Sequence, residues 1–218
     1  MLLRLLHLCD SLFPIGAFGY SDGLEAAIAE PLDVVSGFSQ THLRDWLAVC
    51  LDETIGRFEG PLVAHAHRAF ANGDRDALAR LDEESIAMRP SAAMRKSSRA
   101  MGRQLMTTWA ALYPDPRLTD AGSLPVAFGC VTAASAVGVR SAVEAFAYAR
   151  LAATASAAMR LMPIGQTDTH LLLARTLERV PIVADAVIAR DAPPEAFAPM
   201  VDIATMRHQY MHSRLFRT

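Results

Sequence analysis

Two pairs of histidines in this 218-residue chain have a spacing that could bind a metal ion. His65 and His67 stand two positions apart, and at the end of a strand such a pair can point both imidazoles at one ion. Their neighbours favour a helix, however, in which positions i and i+2 face about 200° apart. His208 and His212 have the i, i+4 spacing of one helix face, but two ligands alone bind a metal weakly. We therefore predict no metal site, and a metal-dependent hydrolase built on the first pair stays the alternative.

The motifs that bind nucleotide phosphates are missing from the sequence. There is no glycine-rich loop ending in lysine, and the single lysine, Lys96, has no neighbouring glycines to free backbone N–H groups for a phosphate. No strand–GxGxxG–helix unit occurs either. We therefore expect no nucleotide hydrolysis by this chain alone.

A basic stripe on one predicted helix is a candidate binding surface. Arg95, Arg99 and Arg103 recur at i, i+4 and i+8, and no acidic residue lies between Glu84 and Asp115. Such a stripe suits a helical adaptor that binds an acidic partner, a phosphate or RNA, and a solvated helix face is the alternative. RNA fits least, because few aromatic residues interleave with the arginines and the net charge is −2.

Two segments near the chain ends have the composition of partner-binding surfaces. The loop 10–25 is rich in glycine and proline, which fix an unusual backbone path and leave Phe18 and Tyr20 to point outward; a plain connector is the alternative. At the other end, residues 214–217 alternate arginine with bulky apolar side chains, whereas a frayed terminus normally carries small polar residues. We expect the tail 213–218 to become ordered on a partner, the alternative being that it docks onto its own domain.

The elements that position these segments are predicted to be helices. The chain contains 39 alanines and only 7% aromatic residues, a composition that favours helix over strand. Residues 1–218 show no repeat and no shift in composition. We therefore predict one all-α domain, a bundle of about eight to ten helices.

Proline, glycine and capping residues set the predicted helix boundaries. Pro31 ends the second helix, and Pro61 begins a new one that Asn72-Gly73 closes. Asp74 caps the next helix, and Pro181 kinks a later one. The predicted helices cover residues 2–9, 24–30, 36–55, 61–72, 74–89, 91–112, 125–137, 141–161 and 167–190, with a short one after 199.

Membrane and redox features of the sequence point to the cytoplasm. The longest uncharged run, residues 121–139, contains Pro125 and three glycines, so a buried core helix is preferred to a membrane span. The cysteines, Cys9, Cys50 and Cys130, are odd in number and far apart, which fits a reducing compartment.

Five segments follow one another along the chain: Asp10-Ser-Leu-Phe-Pro-Ile-Gly-Ala-Phe-Gly-Tyr-Ser-Asp-Gly-Leu-Glu25, Arg99-Ala-Met-Gly-Arg-Gln-Leu105, Leu124-Pro-Val-Ala-Phe-Gly129, Leu161-Met-Pro-Ile-Gly-Gln-Thr-Asp168 and Arg214-Leu-Phe-Arg-Thr218. Taken in this order they resemble the UreF family of urease accessory proteins, whose N-terminal signature is roughly DSxLPxGGFxxSxGLE. Each motif is weak alone, but five in the expected order are specific. Ala17, Gly19 and Thr218 depart from the usual glycine, serine and serine of that pattern.

The resemblance implies an all-α homodimer that is not an enzyme, needs no cofactor and binds neither nucleic acid nor membrane. Such a protein bridges the GTPase UreG and the scaffold UreD (also called UreH), modulates GTP hydrolysis and takes part in nickel delivery to apo-urease. Glu25, in the motif Gly23-Leu24-Glu25, carries the gating role by position. The residues expected to bind partners are Ser11, Pro14, Gly16, Phe18, Tyr20, Ser21, Gly23, Leu24, Glu25, Arg95, Arg99, Arg103, Gln166, Asp168, Arg214, Leu215, Phe216 and Arg217.

Overall fold

Helices joined by short turns make up the computed structural model, which describes residues 2–30, 37–118 and 122–217 and contains no strand within these ranges. The α-helices are α1 (Leu2–Cys9), α2 (Leu24–Ala29), α3 (Gln40–Val49), α4 (Gly60–Asn72), α5 (Arg75–Ala87), α6 (Ala92–Leu112), α7 (Leu124–Ala134), α8 (Val139–Leu161), α9 (Gln166–Leu177), α10 (Val180–Arg190) and α11 (Pro199–Arg207). Single 3-10 turns cover Ala17–Gly19 and His208–Tyr210, and a π-helical segment covers Cys50–Glu59. The predictions at Pro31, Ser36 and Thr218 lie outside the described residues.

Pro61 lies in the first turn of α4, as predicted, but α3, the π-helical segment and α4 follow one another without a break over residues 40–72, so the predicted gap between residues 55 and 61 is absent. An α-helix normally ends before an internal proline, which has no N–H and crowds the carbonyl four residues back. Here the turns before Pro61 are wider, and the N–H of Gly60 donates to the carbonyl of Ile55. With the continuous helix over residues 40–72 counted once, the described residues contain ten helices, and the predicted all-α bundle is confirmed.

Pro181 separates two helices instead of kinking one. Helix α9 ends at Leu177, and α10 begins at Val180 with Pro181 in its first turn. A proline costs little there, because the first N–H groups of a helix have no intrahelical acceptor. The predicted stop at Gly73 and cap at Asp74 are confirmed: Gly73 has φ +71°, and the Asp74 carboxylate accepts the N–H of Ala77 at 2.8 Å.

Helix α7 lies at the centre of the fold and is buried from Leu124 to Thr132, as predicted for a core helix. It packs closely on α4, since a Cβ at Gly129 would lie only 2.6 Å from the carbonyl oxygen of Val63. Within the described ranges, none of the helices combines the length and the hydrophobicity that a membrane span requires.

Two hydrophobic cores share helix α8. The first contains Phe146 of α8 together with buried residues of α4, α6 and α7. The second contains Leu151 of α8, Leu24 at the start of α2 and Phe216 near the end of the chain. The start of α2 and the C-terminal tail therefore pack in one core.

Candidate functional site

The side chain of Glu25 binds the C-terminal tail by accepting hydrogen bonds from the backbone of the tail. This residue lies in the first turn of α2 and is 6% exposed. Its Oε1 accepts the N–H of Leu215 at 2.6 Å, and its Oε2 accepts the N–H of Phe216 at 3.1 Å. The Nε2 atom of His208 lies 2.7 Å from the same Oε2. We call this group of Glu25, His208, Leu215 and Phe216 the tail clasp.

The charge of the tail clasp follows from the groups around the carboxylate. Burial alone would raise the pKa of Glu25, but the N–H of Leu215, the ring of His208 and the N–H of Phe216 together outweigh it, and the pKa lies below its ordinary value. Glu25 is therefore ionised at neutral pH and can only accept hydrogen bonds. Because the carboxylate can only accept, Nε2 of the buried His208 must bear a hydrogen atom and be the donor of this hydrogen bond.

Gly23 and Leu24 face the same C-terminal segment as Glu25. Gly23 has φ +89°, and a Cβ there would lie 2.8 Å from Cγ2 and 2.9 Å from the backbone nitrogen of Thr205 in α11. Leu24 is fully buried in the core cluster that includes Val201 of α11. All three residues of the Gly23-Leu24-Glu25 motif therefore contact or pack with the last part of the chain.

Arg160 of α8 joins the tail to the glycine-rich loop. Its guanidinium carbon lies 3.8 Å from the ring centre of Phe18 and 4.1 Å from that of Phe216, so the cation is stacked between two aromatic rings. Its Nη2 also donates to the carbonyl of Phe18 at 2.8 Å. One residue further along the tail, the N–H of Arg217 donates to the carbonyl of Gly19 at 2.8 Å. The tail is therefore docked on its own domain, the second of the two alternatives for this segment.

A buried chain of charges lies beneath the same loop. Nη1 of Arg150 is 2.9 Å from Oδ2 of Asp22, and Nε of Arg150 is 3.2 Å from Oε2 of Glu59. The other oxygen of Glu59 is 2.8 Å from Nη2 of Arg89. Burial would raise the pKa of Glu59, but the charges of Arg150 and Arg89 outweigh it and hold the pKa below its ordinary value. Burial, with the charge of Asp22, raises the pKa of the neighbouring Cys50 thiol to about 12.

Sequence reasoning did not find this charge chain or the role of His208. The four charged residues stand in four separate parts of the sequence, and none belongs to a recognisable chemical motif apart from Asp22 in the loop. The spacing of His208 and His212 suggests only a pair of metal ligands. In the structure α11 ends at Arg207, so the two histidines do not share an α-helical face.

The remaining predicted residues of the loop are mostly at the surface. Ser11, Pro14 and Gly16 are exposed, whereas Tyr20 packs partly buried against the first core. Ala17, where the family usually has glycine, lies in the 3-10 turn and has no positive φ, so this departure requires no strained backbone. Ser21 is buried, and its hydroxyl accepts the N–H of Glu25 at 3.4 Å.

The arginine stripe on α6 is divided in its roles. Arg95 donates to the carbonyls of Arg89 at 2.6 Å and Pro90 at 2.9 Å, so its side chain binds the turn that precedes α6. Arg99 and Arg103 are exposed and form no ion pair within the described ranges. None of the contacts described above joins the stripe to the tail clasp.

The last two predicted residues lie at the start of α9. Gln166 and Asp168 are both exposed, and Oδ2 of Asp168 accepts the side-chain amide of Gln40 at 3.5 Å. They are not part of the tail clasp.

The two histidines of α4 point to different neighbours. Nε2 of His65 lies 3.2 Å from Oδ1 of Asp191, whereas Nε2 of His67 lies 2.7 Å from the carbonyl of Val137. They therefore do not form a shared site. Within the described part of the chain, no three His, Cys, Asp or Glu side chains are grouped so as to hold a metal ion.

A groove of about 680 Å³ lies between residues 8–18 and α8. Its α8 side includes the small residues Ala149, Ala152, Ala153 and Ser156, together with the larger side chains of Phe146, Tyr148, Arg150 and Arg160. Large apolar side chains near this region, Leu12 and Phe18 of the loop and Tyr148 of α8, are exposed. This surface is apolar enough to pack against another protein.

The fold and the tail clasp together define an all-α protein that binds its own C-terminal tail through a buried carboxylate. A family model for UreF matches residues 38–177. Proteins named urease accessory protein UreF match all of the chain: that of Rhodopseudomonas palustris (strain BisB5) is 36% identical, with 91% of its length covered. Those of Methylibium petroleiphilum and Azoarcus sp. (strain BH72) are each 33% identical, with 94% and 95% covered. The chain belongs to the UreF family, as the resemblance of its motifs predicted.

Proposed function

We propose that this chain is a cytoplasmic, non-enzymatic accessory protein of urease maturation that joins UreG and UreD and modulates GTP hydrolysis while nickel is delivered to apo-urease. The observation that carries the proposal is the tail clasp. It brings into one site the Gly23-Leu24-Glu25 motif and the tail, which the family resemblance assigns to GTPase gating and to UreD. Family membership supports the role in urease maturation.

The surface proposed for UreD consists of the tail and the outer face of α11. Phe216 is buried, while Arg214, Leu215 and Arg217 point to solvent. Exposed large apolar residues follow one another at intervals of three and four along α11 and its flanks: Phe197, Met200, Ile203, Met206 and Tyr210. A surface with so many exposed apolar side chains is typical of a protein interface.

The proposed effect on UreG is a shift between conformations of the GTPase. The chain has no phosphate-binding loop, so the chemistry of GTP hydrolysis belongs to UreG. By binding one conformation of UreG more tightly than another, the chain would limit hydrolysis to the assembled complex. Arg99 and Arg103, which are exposed and have no acidic residue near them in the sequence, offer a second contact for an acidic surface of the same complex.

The chain is further proposed to form a homodimer through the apolar groove beside α8. Sedimentation equilibrium of the purified chain tests this part separately. A single species with twice the mass of 23.6 kDa is expected, and a monomer at micromolar concentration would contradict it.

Reconstitution of urease activation tests the main proposal. Purified apo-urease, UreD, UreG, GTP and nickel are incubated with and without this chain, and nickel content and urease activity are measured. We expect activation to require the chain and to fall when Arg99 and Arg103 are both changed to glutamate. The same double change at Arg44 and Arg175, which lie on α3 and α9, is the control. Equal activation with and without the chain would refute the proposal.

A further inference from the structure

Every residue of the Gly23-Leu24-Glu25 motif faces the interior of this protein. Gly23 lies against Thr205, Leu24 is fully buried, and both oxygens of Glu25 already accept hydrogen bonds. None of these side chains offers a free group to a partner in the conformation described. An explanation of the motif that relies on direct contact with the GTPase must therefore first remove the tail.

We propose that Glu25 acts on partner binding through the tail and not by touching a partner, with His208 as a positioning residue for its carboxylate. The inference rests on the proposed function for the identity of the partner, UreD, but the clasp itself is a property of this chain. Glu25 selects the path of the tail, and the tail presents the binding surface.

The chemistry of the carboxylate favours the docked tail over a direct contact. Glu25 is ionised and almost fully buried, and a buried charge is costly unless donors surround it. Three donors do so: the N–H groups of Leu215 and Phe216 and the ring of His208. Hydrogen bonds to a charged acceptor are about twice as strong as neutral ones. A partner that contacted Glu25 would have to replace two of these bonds with donors of its own.

The clasp also determines which tail side chains face outward. The N–H groups of Leu215 and Phe216 both donate to Glu25, and Phe216 is buried beside Arg160. With the backbone held in this way, the side chains of Arg214, Leu215 and Arg217 are exposed. The surface so displayed is one apolar side chain between two guanidinium groups. The partner that fits it has an apolar pocket with carboxylates at its rim.

His208 connects the clasp to α11. It lies in the 3-10 turn that follows α11 directly, and it donates to the Glu25 oxygen that also accepts the N–H of Phe216. The end of α11 and the tail are thus held by one carboxylate. Loss of the imidazole would leave that oxygen with one donor and weaken the tail at Phe216 more than at Leu215.

Amide hydrogen exchange of the full-length chain tests the clasp without any partner. We expect Glu25→Ala to lower the protection of the Leu215 and Phe216 amides by about tenfold or more, with the amides of α4 and α7 unchanged. His208→Ala should lower the protection of Phe216 most, and His208→Gln, which keeps a side-chain donor, should restore part of it. Glu83→Ala, at an exposed acid of α5, is the control. Unchanged protection in Glu25→Ala would overturn the inference.

Binding to UreD tests the consequence. Glu25→Ala and Leu215→Ala should each weaken the binding of the intact chain to UreD. Because both changes remove the same surface, the affinity of the double variant should equal that of the weaker-binding single variant. Additive losses would show that Glu25 contacts the partner by itself and would overturn the inference. If the parent chain does not bind UreD at all, the proposed function fails, while hydrogen exchange still decides the clasp.

Discussion

Glu59 and Arg89 form an ion pair in the interior of the protein, with 2.8 Å between Oε1 and Nη2. Neither residue is more than 3% exposed. Glu59 ends the π-helical segment, and Arg89 lies in the turn between α5 and α6. Because Arg150 takes the second oxygen of Glu59 and also binds Asp22, the pair extends to the turn that precedes Gly23. The base of the tail clasp is thus supported by buried charges from three other parts of the fold.

Removing one member of this pair should be costly. In Arg89→Met, Glu59 keeps only Arg150 as a charged partner, and we expect the free energy of unfolding to fall by about 3 kcal/mol. Urea denaturation followed by circular dichroism measures the change. Arg57→Met is the control, because Arg57 pairs with Glu53 and Glu195 at the surface, where such pairs contribute about 0–1 kcal/mol. Equal losses in the two variants would contradict the prediction.

Gly23 and Gly73 both have a left-handed backbone, but only Gly23 is closely packed, so alanine at the two positions compares the cost of backbone strain with the cost of a steric clash. A Cβ at Gly23 (φ +89°) would lie 2.8 and 2.9 Å from two atoms of Thr205, whereas a Cβ at Gly73 (φ +71°) would have no atom within 4 Å. Gly73→Ala should therefore cost only the backbone strain, about 1 kcal/mol. Gly23→Ala should cost about 3 kcal/mol, since α11 must also move. Urea midpoints of the two variants compare the costs directly, and equal values would show that Gly23 is required for its backbone alone.

Much of the fold followed from local signals in the sequence. Gly73 and Asp74 gave a correct helix end and cap, and the small residues around Gly129 predicted a buried helix. The π-helical segment did not follow, because proline at position 61 is a typical helix start and nothing local shows that the previous helix continues into it. The kink predicted at Pro181 is wrong for a related reason, since one proline can either kink a helix or begin a new one.

The candidate site was predicted in halves. The loop 10–25 and the tail were each singled out, but their contact depends on a pairing across 190 residues, between Glu25 and Leu215, for which a single sequence has no signal. His208 has the same limitation, because its partner lies 183 residues away. Its i, i+4 spacing to His212 suggested a metal ligand, and only the end of α11 at Arg207 shows that the two do not share a face.

The docking of the tail should depend on pH through Glu25. Its pKa lies below the ordinary value of about 4.3, so the folded state favours the carboxylate. The resulting stabilisation is present above the ordinary pKa and is lost as the pH falls through the lowered one. The charged or titratable groups at the site are His208, which donates to Glu25, and Arg160, Arg214 and Arg217 around the tail.

Hydrogen exchange across the acid range measures this dependence as the protection factor of the Leu215 and Phe216 amides. Protection should fall on acidification while the amides of α7 stay protected. In Glu25→Gln the carboxylate is absent, so protection should be lower at neutral pH and should no longer change in this range. The same acid transition in parent and variant would assign it to another group.

Removal of residues 214–218 should abolish UreD binding without unfolding the helices. The deletion takes away Leu215 and Phe216, so Glu25 keeps His208 and gains water as its donors, and the second core loses one aromatic ring. Since the core of α4, α6 and α7 does not include the tail, we expect unchanged helical circular dichroism and a loss of about 2–4 kcal/mol in the free energy of unfolding. A pull-down with UreD measures binding. Leu171→Ala, which removes an exposed apolar side chain on α9, should bind like the parent. Retained binding by the shortened chain would refute the role of the tail, because the surface with Leu215 between two arginines would then be dispensable.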